Sequence, residues 1–299
     1  MTATSRTGEL APGERVGRYR IARLAGRGAA GEVYLAQDEE EDGRPVAVKL
    51  LNPEGASPEE RDETARRFLD ESRTALSLRH PDIVAVLDTG EYDGRPWMAM
   101  EWLGGHDLTR YTEPARLLPE PLVLAIVERL ARALAHAHRH GVVHRDVKPG
   151  NVRVDLPAGT VKLTDFGVAR AEDTSRTRTG VILGTPAYMA PEQLAGAPAE
   201  ARSDLYALGV VLFELLTARR PHEASSMGEL LRRVATESAP DLLSLRPDLP
   251  ASLAAELSRL LSRRPAERHP DGDALAEALA RVRMHMQPPS GPGAAAMAH

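Results

Sequence analysis

The feature that most restricts the fold is a glycine turn with β-forming residues on both sides. Gly26, Gly28 and Gly31 keep the spacing G-x-G-x-x-G, and Val33 follows two residues later. Glycine lacks a Cβ, so such a backbone can approach a phosphate closely with its amides turned toward the anion. Dinucleotide-binding folds use the same spacing, but there the turn leads from a strand into a helix. Here Tyr19 to Leu24 and Glu32 to Gln37 both read as strands, so the turn closes a hairpin. A third β-rich run covers Pro45 to Leu50. Pro58 to Leu78 reads as a helix, with Phe68, Leu69, Ser72, Leu76 and Leu78 as an imperfect apolar stripe among charges, and His80-Pro81 stops it. Two more strands, Ile83 to Thr89 and Pro96 to Trp102, flank a turn at Asp93-Gly94. Residues 18–103 therefore form a small β-rich lobe with one helix.

At Gly104-Gly105, a plausible hinge, the character changes. Glu120 to His140 is a long amphipathic helix that Gly141 ends as a C-cap. Short strand-like runs follow at Val152 to Val154 and Val161 to Leu163. Helices resume at Ser203 to Thr217, Ser226 to Thr236, Ala251 to Leu261 and Asp273 to Arg283. The expected class is α+β and bilobal: a flexible leader over 1–17, a small lobe over 18–103, a larger, mostly helical lobe over 104–285, and a disordered Pro/Gly/Ala-rich tail over 286–299. Residues 169–185 are polar, rich in Thr and Arg, and read as a mobile loop.

Composition removes several classes of function. There is no cysteine, which excludes disulfides, thiolate metal sites and cysteine nucleophiles. A net charge of −5 provides no overall electrostatic case for nucleic-acid binding. The most apolar run, Leu205 to Leu216, carries Glu214 and falls short of the roughly 20 residues that span a bilayer. It reads as a buried core helix. Residues 1–17 contain no apolar run of the signal-peptide kind. The expectation is a cytoplasmic protein without a membrane anchor.

The cation census is informative. Lys and Arg total 38, yet only Lys49, Lys148 and Lys162 are lysines. Where arginine serves every generic positive charge, a retained lysine points to a need for a compact ammonium rather than a planar fork. Lys162 carries the weakest case of the three. Lys49 ends the strand Val46-Ala47-Val48-Lys49. Lys148 lies in His144-Arg145-Asp146-Val147-Lys148-Pro149-Gly150-Asn151. Asp165-Phe166-Gly167 comes nineteen residues after Asp146, and Ala190-Pro191-Glu192 follows. Eight consecutive residues around Asp146 agree in role and spacing with a phosphotransfer loop, in which the aspartate accepts a hydroxyl proton and the asparagine binds a metal.

Taken together, these segments resemble the bacterial eukaryotic-like serine/threonine protein kinase family from about Tyr19 to Arg283. Gly184-Thr185-Pro186-Ala187-Tyr188-Met189-Ala190-Pro191-Glu192-Gln193 and Ser203-Asp204-Leu205-Tyr206-Ala207-Leu208-Gly209 are especially similar. The resemblance implies transfer of the γ-phosphate of ATP, with Mg²⁺, to Ser/Thr hydroxyls of protein substrates. ATP would sit between the lobes, against Gly26, Arg27, Gly28, Gly31, Val33 and Ala47, with Glu101 and Leu103 presenting backbone to adenine and Met100 as gatekeeper. Lys49, oriented by Glu71, would hold the α- and β-phosphates. Asp146 would be the base, Lys148 would contact the γ-phosphate, and Asn151 and Asp165 would bind the metal. Asp204 would brace the catalytic loop and Arg268 would pair with Glu192. Lys148 and Thr185 mark serine/threonine specificity.

Arg145 beside the base is suited to receive a phosphate on the loop after Asp165, with Thr177 and Thr179 the best-placed acceptors. Such autophosphorylation would involve a transient homodimer. The sequence departs from common relatives at Ala29-Ala30, at Ala218, where glycine is usual, and at His222, where phenylalanine is usual. A pseudokinase scaffold is the alternative function, but Lys49, Asp146 and Asp165 are all present. A small-molecule phosphotransferase would usually lack the Ala190-Pro191-Glu192 segment. The histidines His136, His138, His140 and His144 form a rival cluster, with His136 and His140 at helical i, i+4 spacing, but no third metal ligand is evident.

Overall fold

A computed structural model describes residues 9–28, 31–51, 65–66, 68–69, 72, 75–166 and 186–286. Two compact units divide the chain. The first comprises Met1–His106, His136–Asp146 and Asn151–Pro186; the second comprises Asp107–Ala135, Val147–Gly150 and Ala187–His299. The division therefore differs from a single cut at residue 103, because half of the loop His144–Asn151, Asp146 and Asn151 included, and the strands before Asp165 belong with the β-rich unit.

In the first unit a six-stranded antiparallel sheet runs β1 (Arg15–Val16), β2 (Tyr19–Gly28), β3 (Gly31–Asp38), β4 (Arg44–Leu51), β6 (Arg95–Glu101), β5 (Val86–Tyr92), in that spatial order. Successive side chains on a strand point to opposite faces. Val46, Val48 and Leu50 join one core with Tyr19, Ile21, Tyr34, Trp97 and Ala99. Ala47 and Leu51 join the other with Phe68, Val84, Met98 and Met100. Both faces of β4 are thus covered, which explains its near-continuous apolar run.

One expectation is corrected here. Residues 9–17 belong to the folded unit rather than to a flexible leader. Leu10 is buried in the core with Val16, its N–H donates to Tyr34 Oη at 3.0 Å, and β1 pairs with β2 through Val16 and Tyr19. The physical reason is coverage: without Leu10 and Val16 the Tyr19–Tyr34 face would meet water. A second, three-stranded sheet has the order β7 (His106–Asp107), β8 (Val152–Asp155), β9 (Thr160–Leu163), with β8 and β9 an antiparallel hairpin. Residues 65–66, 68–69 and 75–77 are helical, inside the helix expected over Pro58 to Leu78.

The second unit is helical. α1 (Glu120–Arg139) belongs to it up to Ala135, and its last turn falls in the first unit. The helix ends where expected, with Val142 N–H donating to Ala137 O at 3.0 Å and Gly141 at φ 74°. α2 (Pro191–Leu194) is one turn. α3 (Ala201–Thr217) is buried almost all round from Ser203 to Leu216, as a core helix. α4 (Met227–Thr236), α5 (Leu242–Leu245), α6 (Ala251–Leu260) and α7 (Gly272–Met286) follow. No described helix is long and apolar enough to cross a membrane.

Candidate functional site

The glycine turn lies at the tip of the β2–β3 hairpin, where Gly28 pairs with Gly31 and Gly26 with Val33. Val33 in turn sits opposite Lys49 on β4, and Lys49 opposite Met98 on β6. Directly opposed residues share a face. This cross-strand row is what brings Lys49 beside the glycine hairpin, and Ala47, opposite Met100, falls on the same face two residues away. The hairpin is anchored at Glu32, which is 5% exposed. Its carboxylate accepts from Arg27 at 2.9 and 3.2 Å, from Tyr34 Oη at 2.8 Å and from Arg95 at 3.2 Å. Burial alone would raise the Glu32 pKa, but the Tyr34, Arg27 and Arg95 donors hold it below the ordinary carboxylate value. The Arg27 guanidinium, on the turn itself, is engaged by Glu32 and by Glu9 at 3.0 Å.

The Lys49 ammonium forms an ion pair with Asp165. Burial would push the Asp165 carboxyl up, but the Lys49 charge outweighs it and keeps the group ionised below its usual value. Asp165 is held from behind. Thr164 N–H donates to Asn151 O at 2.9 Å, Thr164 Oγ1 to the same carbonyl at 3.1 Å, and His144 Nε2 lies 2.8 Å from Thr164 O. Asp146 N–H donates to His144 Nδ1 at 3.2 Å, so that nitrogen carries the lone pair and Nε2 carries the proton. His144 is fully buried, with its ring 4.6 Å from that of Phe166. It packs under the loop.

Asn151 closes the arrangement. Its Nδ2 donates to Asp146 Oδ2 and to Asp146 O, both at 2.8 Å. That leaves the amide oxygen of Asn151 as an acceptor near the aspartates. An amide oxygen and an ionised carboxylate are the hard oxygen donors that suit Mg²⁺. The residues therefore fit that ion. Arg145 (φ 72°) and Asp165 (φ 61°) both occupy the left-handed region, which non-glycine residues rarely adopt. Such positions cost about 1–3 kcal/mol each and cluster at functional sites.

Glu101 and Leu103 end β6 and the segment after it. Glu101 N–H donates to Ala85 O at 3.0 Å. Behind them, Arg153 Nη2 donates to Gly105 O at 2.8 Å and to Gly104 O at 3.3 Å. Gly105 has φ 69°, and a Cβ there would lie 2.1 Å from Val154 O, so no other residue fits this bend.

Of the expected site residues, the first unit brings together Lys49, Asp146, Asn151 and Asp165, with the glycine hairpin beside Lys49. Lys148, half-buried, and Asp204, buried on α3, fall in the second unit. Glu71, Thr177, Thr179 and Thr185 lie outside the described residues. In the second unit the expected Arg268–Glu192 pair is present and bidentate, at 2.7 and 2.8 Å. The histidine cluster is a stack: His136 lies 5.3 Å from His80 and 4.4 Å from His140 between ring centroids. No group of three metal-ligating side chains occurs among the described residues. Sequence reasoning missed Glu32, Thr164, Arg153 and the partner of Lys162; only Lys162 carried a signal, its rarity.

Comparison with known proteins agrees with this geometry. Residues 19–277 match the protein kinase domain family. The chain is 39% identical over 259 residues to the serine/threonine-protein kinase PrkC of Bacillus subtilis, covering 86% of this chain and 39% of that protein. It is 42% identical over 281 residues to the DNA damage-responsive serine/threonine-protein kinase RqkA of Deinococcus radiodurans, covering 92% of this chain and 41% of that protein. It is 40% identical over 279 residues to the serine/threonine-protein kinase PknA of Mycobacterium tuberculosis, covering 91% and 63%. The chain thus spans between about two-fifths and three-fifths of these curated relatives.

Proposed function

Because the chain belongs to the protein kinase domain family, we propose that it transfers the γ-phosphate of ATP to serine and threonine hydroxyls of proteins. The observation that carries the proposal is the Asp146 carboxylate held by Asn151 in the same unit as the Lys49–Asp165 pair. Phosphoryl transfer asks little covalent chemistry of the protein, so positioning and electrostatics supply most of the rate. Asp146 orients the acceptor hydroxyl and receives its proton. Lys49 holds the α- and β-phosphates, with Glu71 as its orienting partner, and the backbone of Gly26 to Gly31 covers them. Val33 and Ala47 line the base, whose edge meets the backbone of Glu101 and Leu103. Lys148 steadies the γ-phosphate. Mg²⁺, held by Asp165 and Asn151, would supply neutralisation of phosphate charge. ATP as donor places the reaction on the cytoplasmic side, with no role for nucleic acid.

Arg145 receives a phosphate added to Thr177 or Thr179, in trans within a transient homodimer. Mapping phosphates after incubation with Mg-ATP tests this, and an active preparation with no phosphate between Thr174 and Thr179 removes it.

The central reading is tested with labelled Mg-ATP and a generic protein acceptor, comparing wild type with Asp146→Asn. The expected loss is at least about hundredfold, the lower range for removing a general base. Equal transfer by both proteins sinks the assignment of Asp146. No transfer by either, with nucleotide still bound, makes the chain a binding scaffold.

A further inference from the structure

The third lysine is used by none of the chemistry above. Lys162 lies on β9, three residues before Asp165, with its side chain 15% exposed. Its Nζ is 2.5 Å from Glu101 Oε1 and 3.3 Å from Ile83 O. The same Glu101 oxygen accepts the Ala85 N–H at 2.8 Å.

These contacts complete a lamination. The extended stretch 82–85 is bound on one edge to β9, through Val84 N–H to Leu163 O and Leu163 N–H to Asp82 O, both at 2.9 Å. On its other edge it is bound to Glu101 through the Ala85 backbone and the Glu101 carboxylate. Lys162 reaches across the stretch and joins its two flanks directly. One flank ends at the base-holding Glu101–Leu103 segment. The other ends at the Asp165 carboxylate, with only Leu163 and the firmly held Thr164 between.

We propose that Lys162 is a positioning residue for nucleotide: through Glu101 it sets the separation between the adenine-facing backbone and the Asp165 carboxylate. The proposal rests on the kinase reading for the roles of those two ends. A single-point ammonium suits the place, since it contacts one carboxylate oxygen and one carbonyl. A guanidinium is longer and donates along a planar fork, so arginine cannot reproduce both contacts without displacing one flank. The bias of this chain toward arginine makes the retained lysine meaningful.

The test is a double-mutant cycle with Lys162→Met, Glu101→Gln and both together, read as KM for ATP, KM for protein acceptor and kcat. Couplings of contacting pairs predict about a tenfold rise in KM for ATP in Lys162→Met, with the acceptor KM unmoved. The double variant should be no worse than Lys162→Met alone. A purely stabilising lysine would lower the melting temperature and leave the ATP KM within twofold of wild type, which overturns the proposal. Strict additivity in the cycle overturns it as well. If Lys162→Met does not fold, Lys162→Arg keeps the charge and answers the same question: a several-fold rise in ATP KM supports the proposal, and no rise overturns it. The dissociation constant of a fluorescent ATP analogue is measured in parallel. It reports Lys162 even if no phosphate is ever transferred, so failure of the kinase reading and failure of this proposal are distinguishable.

Discussion

Each unit of the chain contains a buried cation facing a carboxylate, and the two pairs are built for opposite purposes. Arg268, in the second unit, is fully committed. Its guanidinium grips both oxygens of Glu192 and donates to Ser262 O at 2.8 Å and Arg202 O at 2.9 Å, and it lies 4.9 Å from the centre of the Tyr206 ring. Ser203 Oγ adds a donor to Glu192 at 2.8 Å. Burial would raise the Glu192 pKa, but Arg268 and Ser203 bring it below the ordinary value. Lys49, in the first unit, makes a point contact with Asp165, the carboxylate it meets among the described residues, whose side chain is 32% exposed. Arg268 holds a frame that must not move. Lys49 has no fixed fork, and under the proposed function it hands its charge to an arriving phosphate. The census of 38 cations with three lysines runs along the same line: under the proposed function Lys49 acts, and Arg268 builds.

The sharpest way to break the contrast is to substitute each cation in turn. Arg268→Ala leaves the Glu192 charge without its guanidinium, and removal of one partner from such a pair costs about 3–5 kcal/mol. Urea unfolding should show that loss. Lys49→Arg keeps the charge and changes only its shape. It should change the unfolding free energy by less than about 1 kcal/mol while lowering kcat/KM at least about hundredfold, near 2.7 kcal/mol of barrier. If Lys49→Arg unfolds the protein, or Arg268→Ala spares it, the division is wrong.

Acid sharpens the comparison next. His222 and His269 in the second unit, and His136 in the first, are held below the usual histidine pKa, chiefly by burial. A depressed folded pKa means that the unfolded chain takes up protons first. Their stabilising effect is present above pH 6.5 and is lost as pH falls below it, by up to about 1.4 kcal/mol per pH unit per histidine. Unfolding free energy measured from pH 7.5 to 5.5 should decline, and His222→Phe should make the decline shallower. An unchanged slope would remove His222 from the account.

The smallest expected effect concerns Ala218, which caps α3 in the left-handed region at φ 55°. Ala218→Gly relieves that strain and should raise stability by roughly 0.5–1 kcal/mol with unchanged kcat. A fall in stability would mean that the unfolded-state entropy of glycine outweighs the strain.

Much of this was readable in the chain because it is written locally. Strands β2 to β6 and the long helices announce themselves by period, and the glycine turn, Lys49, Asp146 and Asp165 by spacing. What was hidden is non-local or very short. Leu10 is a single apolar residue in a polar stretch, and nothing near it says that it roofs Tyr34, 24 residues away. β1 and α5 are too brief to show a period. The Lys162–Glu101 contact joins residues 61 apart, and the Glu32–Arg95 contact joins residues 63 apart. Each such charge looks from sequence like any solvated charge. The Arg268–Glu192 pair, 76 residues apart, was foreseen only through family resemblance.

The scarcity of lysine has a practical consequence. Lys49 and Lys162 have side chains 9% and 15% exposed, and Lys148 is half-buried. No ε-amine of this chain stands open on the surface. Acylating dyes, amine-coupled sensor chips and lysine-directed cross-linkers will therefore find few handles on the folded protein. Side-chain acylation is confined to Lys49, Lys148 and Lys162, so under the proposed function a reagent usually valued for decorating surfaces would report nucleotide occupancy through Lys49 and Lys148.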